Sequence, residues 1–423
     1  MFNGTTMMIC TLAEGSWGRA FTADEVLSPY VYVFYAAFLV AWVFTPIMRS
    51  IAMFYGIIDQ PDKLRKIHSS PVAYLGGVAV FLGWMCGLAM SQFLFLHRNA
   101  PGLQHVVVRS GIIVGACIII VLGLWDDLKK IKPSIKIAGQ IAAASMLIAS
   151  GIGTNILDNF LYPIVIRMEI YLDWTPDPTV YKWVIFISSS AMVIAIVVFC
   201  CNATNLMDGL DGLCGGVTGI IAIGFVILAV HLGMYGGGSD TNDDALRVVL
   251  GLALLGGVLG FVPYNFNPAS IFMGDTGSMF IGFTCALMII LMGEVASKWF
   301  LAAMVMFALP ILDTSLAFAR RWVNRRPIFS ADKHHFHHQL VARGLTVRKA
   351  VILSYALAIF FVLCGTSIIF MRTRYAIGFY LVIFCSLIVA AYKMGMVHER
   401  PTQRLETLTG EQPEIQQEEN AVA

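Results

Sequence analysis

The chain has 423 residues, of which 58% are hydrophobic and only 13% charged, and its mean hydropathy is +0.76. That is too little charge to cover a water-soluble surface, so the composition excludes a soluble enzyme and specifies a polytopic membrane protein. The net charge of +2 conceals a strong local asymmetry, and the nine cysteines, mostly inside apolar runs, suggest neither a disulfide framework nor a CxxC metal pair.

A crossing helix needs roughly 20 apolar residues. Such runs lie at 30–50, 72–96, 107–125, 137–153, 183–201, 213–233, 247–264, 278–293, 298–317, 350–371 and 375–394, about eleven spans in all. The eighth is short and broken by glycine, and the loop 154–182 is long. The expected fold is all-α, with an N-terminal segment (1–29), a transmembrane domain (30–395) and a polar, disordered tail (396–423). Assigning loops alternately to two sides puts 19 of the 28 Lys and Arg on one of them. That side is expected to be cytoplasmic, with the N-terminus outside and the C-terminus inside.

Acidic residues then gather at the cytoplasmic ends of the spans. A carboxylate near hydrocarbon costs about 2.5 to 3.5 kcal/mol on insertion scales, so several at one face call for a polar cavity or a metal. In chain order, GIIDQPDKLRKIHSSPVAYLGG between the first two spans brings Arg65, Lys66 and His68 together as an anion-binding strip. GLWDDLKKIKPSIKIAGQ ends an apolar helix with Asp126 and Asp127 and follows them with Lys129, Lys130, Lys132 and Lys136. Its bland reading is an acidic helix end with basic interfacial anchors.

NATNLMDGLDGL is more specific. Asp208 and Asp211 are three apart, as are Asn202 and Asn205, so on a helical turn they share a face, and hard oxygen ligands favour Mg2+ or Mn2+ over zinc. In YNFNPASIFMGDTGSMFIG, Gly274 and Gly277 flank Asp275, while Asn265 and Phe272 offer amide and ring surfaces suited to a base. The bland reading of GDTGS is a capped helix start. The segment DTSLAFARRWVNRRPIFSADKHHFHHQLVARG carries Arg320, Arg321, Arg325 and Arg326, then His334, His335, His337 and His338. No Cys or carboxylate completes a tetrahedral zinc set there, so these side chains serve better as donors to phosphate oxygens. Carboxylates for Mg2+, cations for phosphate and a membrane setting together suggest phosphoryl transfer between a lipid phosphate and a soluble nucleotide.

These motifs, in this order between residues 30 and 395, resemble those of the polyprenyl-phosphate N-acetylhexosamine-1-phosphate transferases. Members of that family are integral membrane enzymes that move a sugar 1-phosphate from a UDP-sugar to a polyprenyl phosphate and release UMP. The loop with His335, His337 and His338 is similar to that of the N-acetylglucosamine branch, which initiates O-antigen, enterobacterial common antigen and teichoic acid synthesis. Muramoyl-pentapeptide transferases carry a different His-rich loop, which ranks that substrate second. Phe336 replaces a commoner aliphatic residue.

The resemblance implies a catalytic set of Asp126, Asp127, Asp208 and Asp275, with Mg2+, or Mn2+ in its place, on Asp127 and Asp275. It puts Asp126 at the polyprenyl phosphate and Asn205, Asp208 and Asp211 at the nucleotide, Asp211 accepting from uracil N–H. Phe272 would stack on uracil and Asn265 hydrogen-bond it. Arg320, Arg321, His335, His337 and His338 would hold sugar and diphosphate, with Lys136, Arg65, Lys66 and His68 as further substrate-binding cations. Implied partners are UDP-GlcNAc, undecaprenyl phosphate and membrane lipids, with no nucleic acid; a homodimer is compatible with the sequence. The expected location is the inner (cytoplasmic) membrane, with the site facing the cytoplasm. A transporter or lipid flippase is the rival class, but such proteins place their polar sites near the midplane within inverted repeats, and neither pattern is visible here.

Overall fold

Backbone inside hydrocarbon can satisfy its own N–H and C=O groups only as helix or closed barrel, so the apolar runs become helices. The computed structural model describes residues 21–59, 72–97, 106–235, 241–323 and 336–393. A short helix α1 (Ala23–Leu27) leads through a 3-10 turn (Ser28–Tyr30) into α2 (Val31–Tyr55), followed by β1 (Ile58–Asp59), β2 (Val72–Ala73) and α3 (Gly76–His97). Then come α4 (Ser110–Lys129), α5 (Pro133–Ala149), α6 (Asp158–Leu172), α7 (Pro178–Met207), α8 (Leu213–Tyr235) and α9 (Thr241–Asn265). The chain continues with α10 (Gly274–Gly293), α11 (Ser297–Met306), α12 (Ala308–Val323), α13 (Phe336–Ala342), α14 (Val347–Ile368) and α15 (Thr373–Lys393).

The protein is thus an all-α polytopic membrane protein. Among the described residues eight helices are long and apolar enough to cross a membrane, and α11 with α12 would make a ninth. All eleven expected stretches are mostly helix, but not all are full crossings. The 17 residues of α5 reach only about 25 Å at 1.5 Å per residue. The stretch 298–317 is not one rod but two helices bent by 73° at Phe307. Pro310, in the first turn of α12, has no N–H for the carbonyl of Met306, so the first helix stops and a second begins. The long loop 154–182 contains α6, whose end exposes Ile170, Tyr171, Leu172 and Trp174. The tail 396–423 lies outside the described residues.

The expectation of a glycine-broken eighth span is corrected: α10 is a continuous 20-residue helix and the centre of the bundle. Every residue of it except Asp275 is buried. It packs on α7, α4, α3 and α9, while α9 also packs on α2, α3 and α8. Glycine is a contact point here rather than a breaker, because a Cβ on Gly77 of α3 would collide with the backbone of Gly277. Outer faces of the peripheral helices expose Leu39, Trp42 and Phe54 on α2, Trp183 and Ile187 on α7, and Leu363 on α14, as a lipid-facing surface does.

One end of the bundle is closed by charge. Arg109 pairs with Asp243 at 2.9 Å, and buried Arg247 donates to Asp244 at 2.6 Å and to the carbonyl of Leu291 at 3.0 Å. At the other end β1 and β2 pair antiparallel, Ala73 bridges to Ile271, and Gly76 N–H donates to Phe272 O at 3.0 Å. The first and fourth sequence motifs are thereby joined.

Candidate active site

The turn between α4 and α5 sets the first part of the site. Lys130 ends α4 in the left-handed region (φ 48°), and Pro133 starts α5. Asp126, 6% exposed, turns one oxygen back to accept the Ile131 N–H at 2.8 Å. Lys136 lies one turn into α5 and points at Asp126, with which its ammonium forms an ion pair.

Asp127 faces the other way, onto the N-terminus of α10. A helix start leaves four backbone N–H groups without intrahelical partners, and Met273 at the N-cap supplies no side-chain acceptor. Asp127 Oδ1 accepts from Asp275 N at 2.8 Å, while its Oδ2 accepts from Thr276 N at 3.0 Å and Thr276 Oγ1 at 2.6 Å. A carboxylate from α4 thus caps α10, at the end where the helix dipole favours negative charge. Gly274 makes this approach feasible: it has φ +71°, and a Cβ there would come within 2.7 Å of Asp127 Oδ2.

Asp275 is the meeting point. Its Oδ2 pairs with Lys136 Nζ at 2.6 Å, and its Oδ1 accepts from Asn205 Nδ2 at 2.9 Å. One ammonium therefore bridges Asp126 and Asp275. Asn205 also reaches Ser278 Oγ at 3.0 Å, and Asn202 donates to Gln140 Oε1 at 2.8 Å, so α7 is tied to both α10 and α5 by amides on one face.

The four polar residues of NATNLMDGLDGL do not share one helical face, because α7 ends at Met207. Asp208 is the C-cap, half-buried; burial pushes its carboxyl up to about 8, and the charges of Asp275, Asp127 and Asp211 add to that. Asp211 turns away and accepts from Asn267 Nδ2 and Ala269 N, both at 3.0 Å. Asn265 is 3% exposed and held at both amide atoms: its Oδ1 accepts from Gly212 N at 3.1 Å and its Nδ2 donates to Ile271 O at 3.0 Å. Its amide ties two loops together. The Phe272 ring is partly exposed, 5.9 Å from that of Tyr74.

Arg320 (4% exposed) and Arg321 lie on α12, which packs against α7 and α14; His337 and His338 belong to α13, which packs on α14. Arg65, Lys66, His68 and His335 lie outside the described residues. Reading the sequence missed Thr276 as a partner of Asp127, although it stood in the cap-like GDTGS. It also missed Tyr74, whose hydroxyl bonds Asp59 and whose pKa is raised by burial and by the nearby Asp59, Asp127 and Asp275 charges. Only its position before GG hinted at it.

Among the described residues no three His, Cys, Asp or Glu side chains stand together as a metal cage. Two carboxylates converging on one cation remain, and Mg2+ is commonly bound by one or two carboxylates with substrate phosphates and water completing the shell. The donor set fits that ion. It favours Asp126 with Asp275, since Asp127 already takes three hydrogen bonds from α10.

A helical membrane bundle with a carboxylate and lysine cluster at one end is the class of protein these features define. Residues 110–293, which carry Asp126, Asp127, Lys136, Asn205, Asp208, Asp211 and Asp275, match the model of glycosyl transferase family 4. The chain is 33% identical to the probable undecaprenyl-phosphate N-acetylglucosaminyl 1-phosphate transferase of Bacillus subtilis, over 89% of this chain and 95% of that one. It is 32% identical to the decaprenyl-phosphate N-acetylglucosaminephosphotransferase of Mycolicibacterium smegmatis, over 75% and 77% of the two chains. A phospho-N-acetylmuramoyl-pentapeptide-transferase of Pelotomaculum thermopropionicum is 30% identical, over 76% and 91%. The chain belongs to the polyprenyl-phosphate N-acetylhexosamine-1-phosphate transferase family.

Proposed function

We propose that this protein transfers N-acetylglucosamine 1-phosphate from UDP-GlcNAc to undecaprenyl phosphate, releasing UMP, as the first step of a cell-surface polysaccharide. The observation that carries the reading is the bridging of Asp126 and Asp275 by Lys136, at the end of the bundle where Asp127 and Asn205 also converge. Similarity to the Bacillus and Mycolicibacterium transferases favours N-acetylglucosamine over the muramoyl-pentapeptide. The positive-inside count supports a cytoplasmic location for this end, the side on which a soluble nucleotide sugar is found.

In the reaction an oxygen of the lipid phosphate attacks the phosphorus that bears the sugar, and the bond from that phosphorus to the oxygen shared with UMP breaks. A phosphate monoester is already nucleophilic near neutral pH, so the carboxylates need not act as bases. Mg2+ held by Asp126 and Asp275 would neutralise charge on the diphosphate and on the departing UMP. Asn205 and the Ile131 N–H keep those two carboxylates aimed at one point, and Asp127 holds the start of α10 so that Asp275 stays in place. Asp208 faces the same cluster from the end of α7 and is the better candidate for the nucleotide side than Asp211 or Asn265.

The test is a donor panel with purified protein, undecaprenyl phosphate and Mg2+. UDP-GlcNAc should give a butanol-soluble sugar lipid and equimolar UMP, reversibly, and EDTA should stop it. Product from UDP-MurNAc-pentapeptide and none from UDP-GlcNAc would reassign the donor.

A further inference from the structure

The Lys136 ammonium lies between two carboxylates that are each oriented by something else. Asp126 gives one oxygen to the Ile131 N–H and the other to Lys136; Asp275 gives one oxygen to Asn205 and the other to Lys136. Remove the lysine, and both side chains still have a donor fixing their rotamer. Two oxygens from two helices thus form a preset seat for a cation. The cation in it is tethered by a flexible four-carbon stem, and its side chain is 21% exposed.

We propose that Lys136 is a resident stand-in for the metal ion: it neutralises Asp126 and Asp275 while the metal is away, and metal entry displaces its ammonium. The inference rests on the Mg2+ reading above and adds an exchange to it. Asp126 and Asp275 also touch each other directly, and two carboxylates in contact repel unless a cation or a shared proton neutralises them, so a lysine there holds the pair together. The displaced ammonium retains three donors and the reach of its stem, and the nearest new acceptors are the oxygens of an incoming phosphate. Lys136 is then a positioning residue that couples metal occupancy to substrate capture. An arginine would fit poorly, because its planar fork would stay locked on the two carboxylates.

The exchange is tested with Mn2+ as the probe, on detergent-purified full-length protein without substrate. Mn2+ binding is read by electron paramagnetic resonance of the free ion, and the reactivity of Lys136 by acetylation with an N-hydroxysuccinimide ester followed by mass spectrometry. Saturating Mn2+ should raise acetylation of Lys136 severalfold, with Lys129 and Lys130 as internal controls that do not change. Lys136→Met should bind Mn2+ at least about ten-fold tighter than wild type, since it has no competing charge, and Lys136→Arg should bind it more weakly. Both variants should elute as the wild-type protein does in size-exclusion chromatography. If Mn2+ binds but leaves Lys136 protected, or if Lys136→Met binds it no more tightly, the exchange is wrong and the metal reading stands. If no protein binds Mn2+ saturably, the metal reading falls and the exchange falls with it.

Discussion

Asp127 on α4 accepts both the backbone N–H and the hydroxyl of Thr276 on α10, at 3.0 and 2.6 Å through a single carboxylate oxygen. The pair joins two helices whose backbones meet so closely that a Cβ on Gly123 would strike Thr276. It makes Asp127 a structural cap as much as a chemical group. Asp127→Asn replaces one acceptor oxygen with a donor and should lower the thermal midpoint in detergent, by the equivalent of about 1 kcal/mol, the usual worth of a helix cap. Asp275→Asn, which leaves that cap intact, should keep the midpoint and lose turnover. A wild-type midpoint for Asp127→Asn would contradict the capping role.

Asn205 should matter through Asp275, on which it holds one oxygen. Outer partners of metal-binding side chains typically contribute about 10 to 100-fold in affinity or activity, so Asn205→Ala should lose that much in kcat/KM. Apparent Mg2+ affinity, taken from the metal dependence of UMP release, should weaken in the same variant. If only the KM for UDP-GlcNAc rises, Asn205 contacts the nucleotide directly.

Asn265 gives the opposite pattern. Its substitution by alanine strands Gly212 N–H and Ile271 O, each a buried group whose orphaning costs about 1 to 3 kcal/mol. Thermal stability of Asn265→Ala should therefore fall, while the KM for UDP-GlcNAc of the folded fraction stays within about two-fold; a lost base contact would instead weaken it by the equivalent of about 1 to 3 kcal/mol. A large KM increase without loss of stability would restore the base-binding role expected from sequence.

Asp208 sets a pH dependence. Its folded-state pKa of about 8 lies above the ordinary carboxyl value of 3.8, so between those values the folded protein holds a proton that the unfolded chain has lost. Stability of the metal-free protein must then decline as pH rises from about 4 to about 8, and level off above that. Asp208→Asn has no carboxyl to titrate, so its thermal midpoint should fall less across pH 5 to 8 than that of wild type. Parallel midpoint curves would show that Asp208 does not titrate as described.

Much of the bundle was legible because a membrane demands long apolar runs, and each such run became helix. The errors have physical causes. Glycines in 274–293 look like breakers in a one-dimensional reading, yet in a crowded centre they are where helices touch, as Gly277 does against Gly77. Pro310 was the visible signal for the bend at Phe307, but inside an apolar run a proline also occurs in unbroken spans. At the site, Asp126, Asp127, Asn205 and Asp275 stood out in the sequence, and the structure brings them together. Sequence alone could not divide their work, because which carboxylate of an adjacent pair caps a helix and which faces a cation depends on helix rotation. The shared helical turn expected for Asp208 and Asp211 failed for a similar reason: their spacing implied a helix, whereas the helix ends one residue before Asp208.

The central claim is that the carboxylates bridged by Lys136 are where a sugar phosphate passes from nucleotide to lipid. It is tested most directly by single-turnover assay of wild type and Asp275→Asn with doubly labelled UDP-GlcNAc and undecaprenyl phosphate. Wild type should form sugar lipid and UMP in equal amounts, and Asp275→Asn, with an unchanged thermal midpoint, should be slower by about 10² to 10³. Full activity in Asp275→Asn, or sugar lipid formed with release of UDP instead of UMP, would contradict the account.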